Sequence, residues 1–485
     1  MAADLAAARG LLQRWWSKTT VWHAVAISLT VLYTVWLAER TTRNHFGLGT
    51  SAYDFGLFDQ GIWLISQGKS PFVTLMGRNL FGDHTSFILL PLVPLYWFIA
   101  STGLLFVVQA VALGIGALPV WKATRLLVGS LPMSCVAVVA YLAHPALTYT
   151  GLENFHPDAA LAPLIAWALY AALGNRWVQY TTAVVLILLV KEDTALFVMA
   201  LGLWVAWRRD RRIGWLTVLG AGWFAMLMLF AVMRGIIGVP YRNEWRIPFG
   251  GFGGLVRTAV TRPDKLIRHL VSGERPLYLL QIFAPVAFVA LIRPEIALLG
   301  TLPLLSNLLS TFWYQSQIEY HYAVQFVPIV VIGAMFGISR LAEHLRTWVT
   351  SLVLVASLIG GWAWSPLPYM RTTVGHWSPA HPSVSAAHDA MNQIPNDAAV
   401  SAYHTLTAHM ARRERVYVFP VPFRRVLYGP NVFAKGDRLP FADEVRYVIL
   451  PRELEGEPAV DWQQEQPFFR VVYGNDWWTV YERID

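Results

Sequence analysis

The spacing of its charges constrains this chain most. Long apolar blocks follow one another from Val21 to Trp364, and short, mostly basic punctuation separates them. A block of that kind has to satisfy its own backbone hydrogen bonds when no water is near, so the layout is that of helices crossing a bilayer. Only 14% of the residues are charged and 55% are hydrophobic. A soluble domain carries about a quarter charged residues, so the chain cannot clothe a water-facing surface of this size. Trp and Tyr gather at the block edges, where amphipathic rings favour the lipid–water boundary.

The blocks predict eleven transmembrane helices, at 21–38, 104–121, 133–149, 159–173, 177–190, 193–207, 213–233, 276–292, 295–310, 321–338 and 347–364. Arg9, Arg14 and Lys18 precede the first block, which reads as an uncleaved signal anchor after a cytoplasmic N-terminus, residues 1–20. Every connection that this start puts in the cytoplasm is basic: Lys122 and Arg125, then Arg176, then Arg208 to Arg212, then Arg293, then Arg340 and Arg346. Cytoplasmic loops carry such an excess. The count leaves the C-terminus extracytoplasmic, in a bacterial inner or plasma membrane. The net charge of +8 is explained by this orientation, so no nucleic-acid partner is expected. Cys135 is the only cysteine; neither an intramolecular disulfide nor a cysteine metal site can form.

Residues 21–364 thus read as a membrane domain with two large outer loops, 39–86 and 234–275. The piece Phe87–Ile99 holds Pro91 and Pro94, is too short to span, and is expected as a juxtamembrane or re-entrant segment. Residues 365–485 are more polar. A proline-marked linker, a helix Val384–Gln393 and five β-type runs (Ala399–Tyr403, Val416–Pro420, Val445–Leu450, Phe468–Tyr473, Trp477–Glu482) predict a small extracytoplasmic α/β domain.

The ionisable residues of the expected outer face carry what chemistry there is. Asp54 precedes a helix over Phe55–Ile65 that is expected to lie on the membrane; it either caps that helix or stands as a catalytic carboxylate at the mouth of the bundle. Asp59, one turn on, reads equally as a solvated residue. Asp83-His84 closes the first loop, as a turn with local hydrogen bonds or as a metal or proton-relay pair. Glu153, His156 and Asp158 crowd one junction, where Asp158 can cap the next helix. Glu319, His321 and Tyr322 occupy another. Lys191-Glu192-Asp193 interrupts an otherwise apolar run, and charges at membrane depth cost at least ~2.5 kcal/mol each, so a polar cavity opening outward is expected there. The 234–275 loop is rich in arginine on the side where basic residues are disfavoured; lipid headgroups or the phosphate of a substrate would explain it.

The stretches YDFGLFDQGIW, GDHTSFILLPLVPLYW, ENFHPDAALAPL, LLVKEDTALF and IEYHYAVQFVPI resemble a bacterial family of multi-pass membrane proteins known only as a domain of unknown function. More distantly, the layout is similar to the GT-C superfamily of integral membrane glycosyltransferases. Those enzymes carry a catalytic Asp near the start of a long first outer loop, commonly in an Asp-Glu pair. Asp54 matches that Asp, with Phe55 in place of Glu. The resemblance implies a polyprenyl-phosphate sugar donor and transfer to an extracytoplasmic acceptor.

These observations predict a GT-C-like polytopic helical protein with Asp54 as catalytic base. Lys191, Arg242, Arg246, His156, His321 and Tyr322 are expected to bind substrate. Asp83, His84, Glu192 and Asp193 are the candidate ligands of a divalent cation, and lipids and a lipid-linked sugar are the expected partners. Two other classes stay open: a transporter or flippase with a Lys191-Glu192-Asp193 relay, and a non-catalytic envelope scaffold.

Overall fold

A computed structural model describes residues 18–237, 244–372, 378–429 and 435–484; Arg242 lies outside the described residues. Among the described residues, five helices are long and apolar enough to cross a membrane: Val21–Phe46, Leu104–Val128, Arg211–Ile236, His321–Ser339 and Glu343–Trp364. A sixth candidate joins Leu131–Leu142 to Pro145–Glu153 through a 42° bend. The bend has a cause in the sequence: His144 caps the second half and Pro145 takes its first turn, where a missing N–H is harmless. Shorter apolar helices, including Pro157–Leu173, Trp177–Leu188 and Ala297–Leu309, complete the bundle.

Helical segments therefore fall at the expected positions, and five or six of the described ones have the length and apolarity of a full crossing. The expected span over 276–292 is broken. Its helix, Arg275–Phe283, gives way to 3-10 turns with Ala287 and Phe288 in left-handed conformation. The helix Phe326–Ser339 runs through the centre, with every residue from Phe326 to Ile338 buried. The outer helices turn large apolar side chains outward, such as Leu32, Leu219 and Trp348. A surface of that kind belongs against lipid.

The expected piece at 87–99 is a 3-10 turn, Phe87–Leu92, followed by a single helical turn, Leu95–Phe98. Ahead of it, the first loop carries a short hairpin, β1 (Phe72–Val73) with β2 (Arg78–Asn79). All five expected β runs form one sheet: β3 (Val400–Ala402), β4 (Val416–Val418), β5 (Tyr447–Pro451), β6 (Phe469–Gly474) and β7 (Trp478–Arg483). The order is β4-β3-β5-β7-β6, with β3 parallel to both neighbours and β7 antiparallel to both of its own.

The first loop and this sheet domain are one packed unit. The helix of the first loop, Leu57–Ser66, does not lie on a membrane as expected, because Leu57 to Ile62 are buried in a core shared with Leu406, Val416 and Val480 of the tail. Gln60 donates to the Arg413 carbonyl, and Thr74 exchanges hydrogen bonds with the backbone of Val416. Asp59 is not solvated either. It is fully buried, clamped by the Arg412 guanidinium at 3.1 Å and by the Tyr96 hydroxyl at 2.7 Å. Arg412 also donates to the carbonyls of Ala100 and Ser101, so its charge is fully engaged.

Candidate functional site

Three helix starts converge at one end of the bundle. Each begins with an extended residue and a 3-10 turn that runs into a longer helix. His156 precedes Pro157–Ala160, Lys191 precedes Glu192–Thr194, and Tyr320 precedes His321–Ala323. Helix starts expose unsatisfied N–H groups and the positive end of the dipole, which is why acids collect there. The Glu153 carboxylate accepts the His321 backbone N–H at 2.9 Å, and Glu192 accepts that of Thr85 at 3.2 Å.

One residue outside the expected set holds the junction together. Gln109, buried in the helix Leu104–Ile115, donates to the carbonyls of Thr150, Gly151 and Asn154 and accepts the His156 N–H at 2.8 Å. A lone amide inside an apolar block was its only signal. Asn154 in turn accepts the Ser51 N–H, which fastens the start of the first loop to this junction.

That fastening sets Asp54. Its backbone is in the left-handed half of conformational space, φ 69° and ψ −87°, which costs a non-glycine residue about 1–3 kcal/mol. Phe55 holds the turn from the next position, stacked on Phe106 and fully buried. Asp54 is not a helix cap: the following helix starts after Gly56 and has no side-chain cap. Its carboxylate instead lies 3.7 Å from His156 Nε2, with 41% of the side chain open. Its recessed place, and next the Glu153 charge, push the Asp54 carboxyl above its ordinary value.

Around it the side chains form two linked groups. In the first, Glu153 lies 3.2 Å from His321 Nδ1 and 3.8 Å from His156 Nε2, and the two imidazoles stack at 3.5 Å. Burial, and next the neighbouring His321, pull His156 down to about 3, so its ring is neutral. His156 Nε2 is buried without a hydrogen-bond partner. In the second, Lys191 lies 3.8 Å from Asp158 and over the Tyr322 ring, and His84 Nδ1 meets Glu192 at 2.8 Å. Burial opposes the Lys191 charge, yet Asp158 and Asp193 hold its pKa above the usual lysine range. A slot of about 20 Å³, room for one water, runs between Asp158, Asp193, Tyr322 and Gln325.

The structure brings Asp54, His156, His321, Lys191, Tyr322, His84 and Glu192 together, and Glu153 and Asp158 with them. Asp193 lines the slot beside them. Asp83 is turned away into an ion pair with Arg78 at 2.9 Å, and Glu319 is exposed. Among the described arginines of the 234–275 loop, Arg246 packs over Phe312 at 4.4 Å, and its buried Nε has no partner. Arg262 and Arg268 pair with Asp264 at the surface instead.

The metal-ligand geometry falls on a different set from the expected one. Glu153, His156 and His321 each offer one ligand atom, all within 4.8 Å of one another. Two imidazoles and a carboxylate suit a divalent transition ion such as zinc, and the unpartnered His156 Nε2 is the atom that such an ion would satisfy.

The fold and this cluster define a polytopic membrane protein with a buried ionisable site at one end of its bundle. The chain belongs to the family described as a predicted membrane protein, DUF2079, which matches residues 44–483. Two crystal structures of ArnT from Cupriavidus metallidurans share the fold at 12% sequence identity. The structure bound to undecaprenyl phosphate has a TM-score of 0.53 over 96% of this chain and 98% of that one. The apo structure has a TM-score of 0.58 over 96% and 99%. No curated protein matches the sequence.

Proposed function

We propose that the chain is a membrane glycosyltransferase that moves a sugar from a polyprenyl-phosphate donor to an acceptor hydroxyl on the extracytoplasmic side. One observation carries this reading. The acid at the start of the first loop is held in a costly conformation that presents its half-open carboxylate to a buried cluster of imidazoles, a lysine and three helix starts. Asp54 is the base: it takes the acceptor O–H proton as that oxygen bonds to the sugar's anomeric carbon. The bond from that carbon to the donor phosphate breaks, and the phosphate leaves with its electrons. Lys191, Arg246 with its unpartnered Nε, and the helix N-termini receive that charge. His84 holds Glu192 beside Lys191 and so positions the lysine. A divalent cation held by Glu153, His156 and His321 would add positive charge beside the Asp54 carboxylate.

The fold shared with ArnT, one of whose structures holds undecaprenyl phosphate, supports a lipid-linked donor. A transporter relay has less support, because Lys191 to Asp193 begin a helix at one end of the bundle rather than interrupting one at mid-depth. The test is transfer of radiolabel from polyprenyl-phosphate sugars by the purified protein and by Asp54→Asn. Transfer by the wild type, reduced about 10²–10⁴-fold in the variant, supports the reading. Equal transfer by both removes Asp54 from the chemistry, and transfer by neither removes the activity.

A further inference from the structure

The helices that start at the candidate site end at a second polar feature. Ala195–Arg208 and Phe326–Ser339 each have 14 residues, which carries the chain about 21 Å from the site. At that far end lies a cavity of about 350 Å³, lined by Trp204, Arg208, Arg209, Arg293, Arg340 and Glu295. Four guanidinium groups thus face one carboxylate. Glu295 is taken by Arg208 at 2.6 Å. Arg209, Arg293 and Arg340 make no ion pair with a described residue. Arg209 and Arg340 instead lie over the rings of Trp204 and Phe336.

A basic end loop needs no cavity to orient a membrane protein. Here four exposed arginines rim a space large enough for a ligand. A second observation points the same way. Trp204 is 5% exposed and lines the cavity, and its indole N–H is buried without an acceptor. A buried donor left open costs free energy unless something fills it. The missing partner is an acceptor, and the excess of four guanidiniums over one carboxylate around the cavity favours an anion.

We propose that this cavity binds a phosphate group, taken from the headgroup of an anionic membrane lipid or from a free phosphate compound. Guanidinium matches phosphate oxygens bidentately, and basic pockets between transmembrane helices are a recurrent seat for anionic headgroups. The Trp204 N–H adds a neutral donor to one phosphate oxygen, while Arg209, Arg293 and Arg340 supply the charge. The site is remote from Asp54 and stands whether or not sugar transfer takes place there.

The test uses the full chain, delipidated in detergent and read by native mass spectrometry with cardiolipin or phosphatidylcholine added. Cardiolipin should be retained over phosphatidylcholine, and Arg209→Gln/Arg340→Gln should weaken that retention about tenfold or more. Trp204→Phe keeps the ring and removes only the N–H, so it reports on the site even if the double variant folds poorly; it should weaken cardiolipin by a smaller, measurable factor. Adding inorganic pyrophosphate separates the sources. Displacement of cardiolipin identifies a free phosphate ligand, and retention identifies the lipid headgroup. Equal retention of the two lipids with no pyrophosphate bound overturns the proposal, as does equal cardiolipin binding by the wild type and both variants.

Discussion

Asp54 and Asp59 stand within one short motif, YDFGLFD, yet the fold treats them in opposite ways. Asp59 is buried against Arg412, Tyr96 and the carbonyls that Arg412 also serves, so every strong hydrogen-bonding option is used. Asp54 has a strained backbone and a half-open carboxylate, with an imidazole nitrogen at 3.7 Å. A carboxylate whose bonds are all made holds parts of a protein together. One that is costly to place and left open is available to a substrate. The difference separates the acid that docks the first loop on the sheet domain from the acid proposed for chemistry.

Substitutions at the two positions can break that contrast. The largest expected effect is on turnover: Asp54→Asn should lose about 10²–10⁴-fold in sugar transfer while its thermal unfolding stays near that of the wild type. Asp59→Asn should do the reverse. It strands the Arg412 charge, a loss of about 3–5 kcal/mol for a broken buried pair, seen as a lower melting temperature, with turnover per folded molecule retained. A fall in turnover with no change in melting at Asp59 would erase the distinction. A smaller effect is expected at the neighbouring cluster: Glu153→Gln should weaken bound divalent cation at least about tenfold, the range that even outer partners of a metal site command, measured by metal analysis after dialysis. The smallest is a gain. Asp54→Gly removes the left-handed strain and should raise stability by about 1 kcal/mol in a protein that no longer transfers sugar.

The sequence exposes the fold and half of the site because charge is conspicuous in an apolar chain. Lys191-Glu192-Asp193 and Glu153 to Asp158 stand out for that reason, and both belong to the cluster. The same reasoning cannot rank Asp54 against Asp59, since the deciding partner, Arg412, lies in the tail more than 350 residues away in sequence. Gln109 carries no charge, and a lone amide in an apolar block marks it only faintly, although it holds the His156 junction. Asp83 and His84 are adjacent in sequence, but the end of the short helix Leu80–Asp83 sends Asp83 to Arg78 and His84 to Glu192. That divergence is why the expected metal set differs from Glu153, His156 and His321.

Cryo-electron microscopy of the full chain with undecaprenyl phosphate tests the convergence most directly. The phosphate should lie within hydrogen-bonding reach of Lys191 or Arg246, on the same side of the bundle as the Asp54 carboxylate. A phosphate bound only at the far end, among Arg209, Arg293 and Arg340, with nothing beside Asp54, would contradict the assignment of the first loop and the three helix starts as the place of reaction.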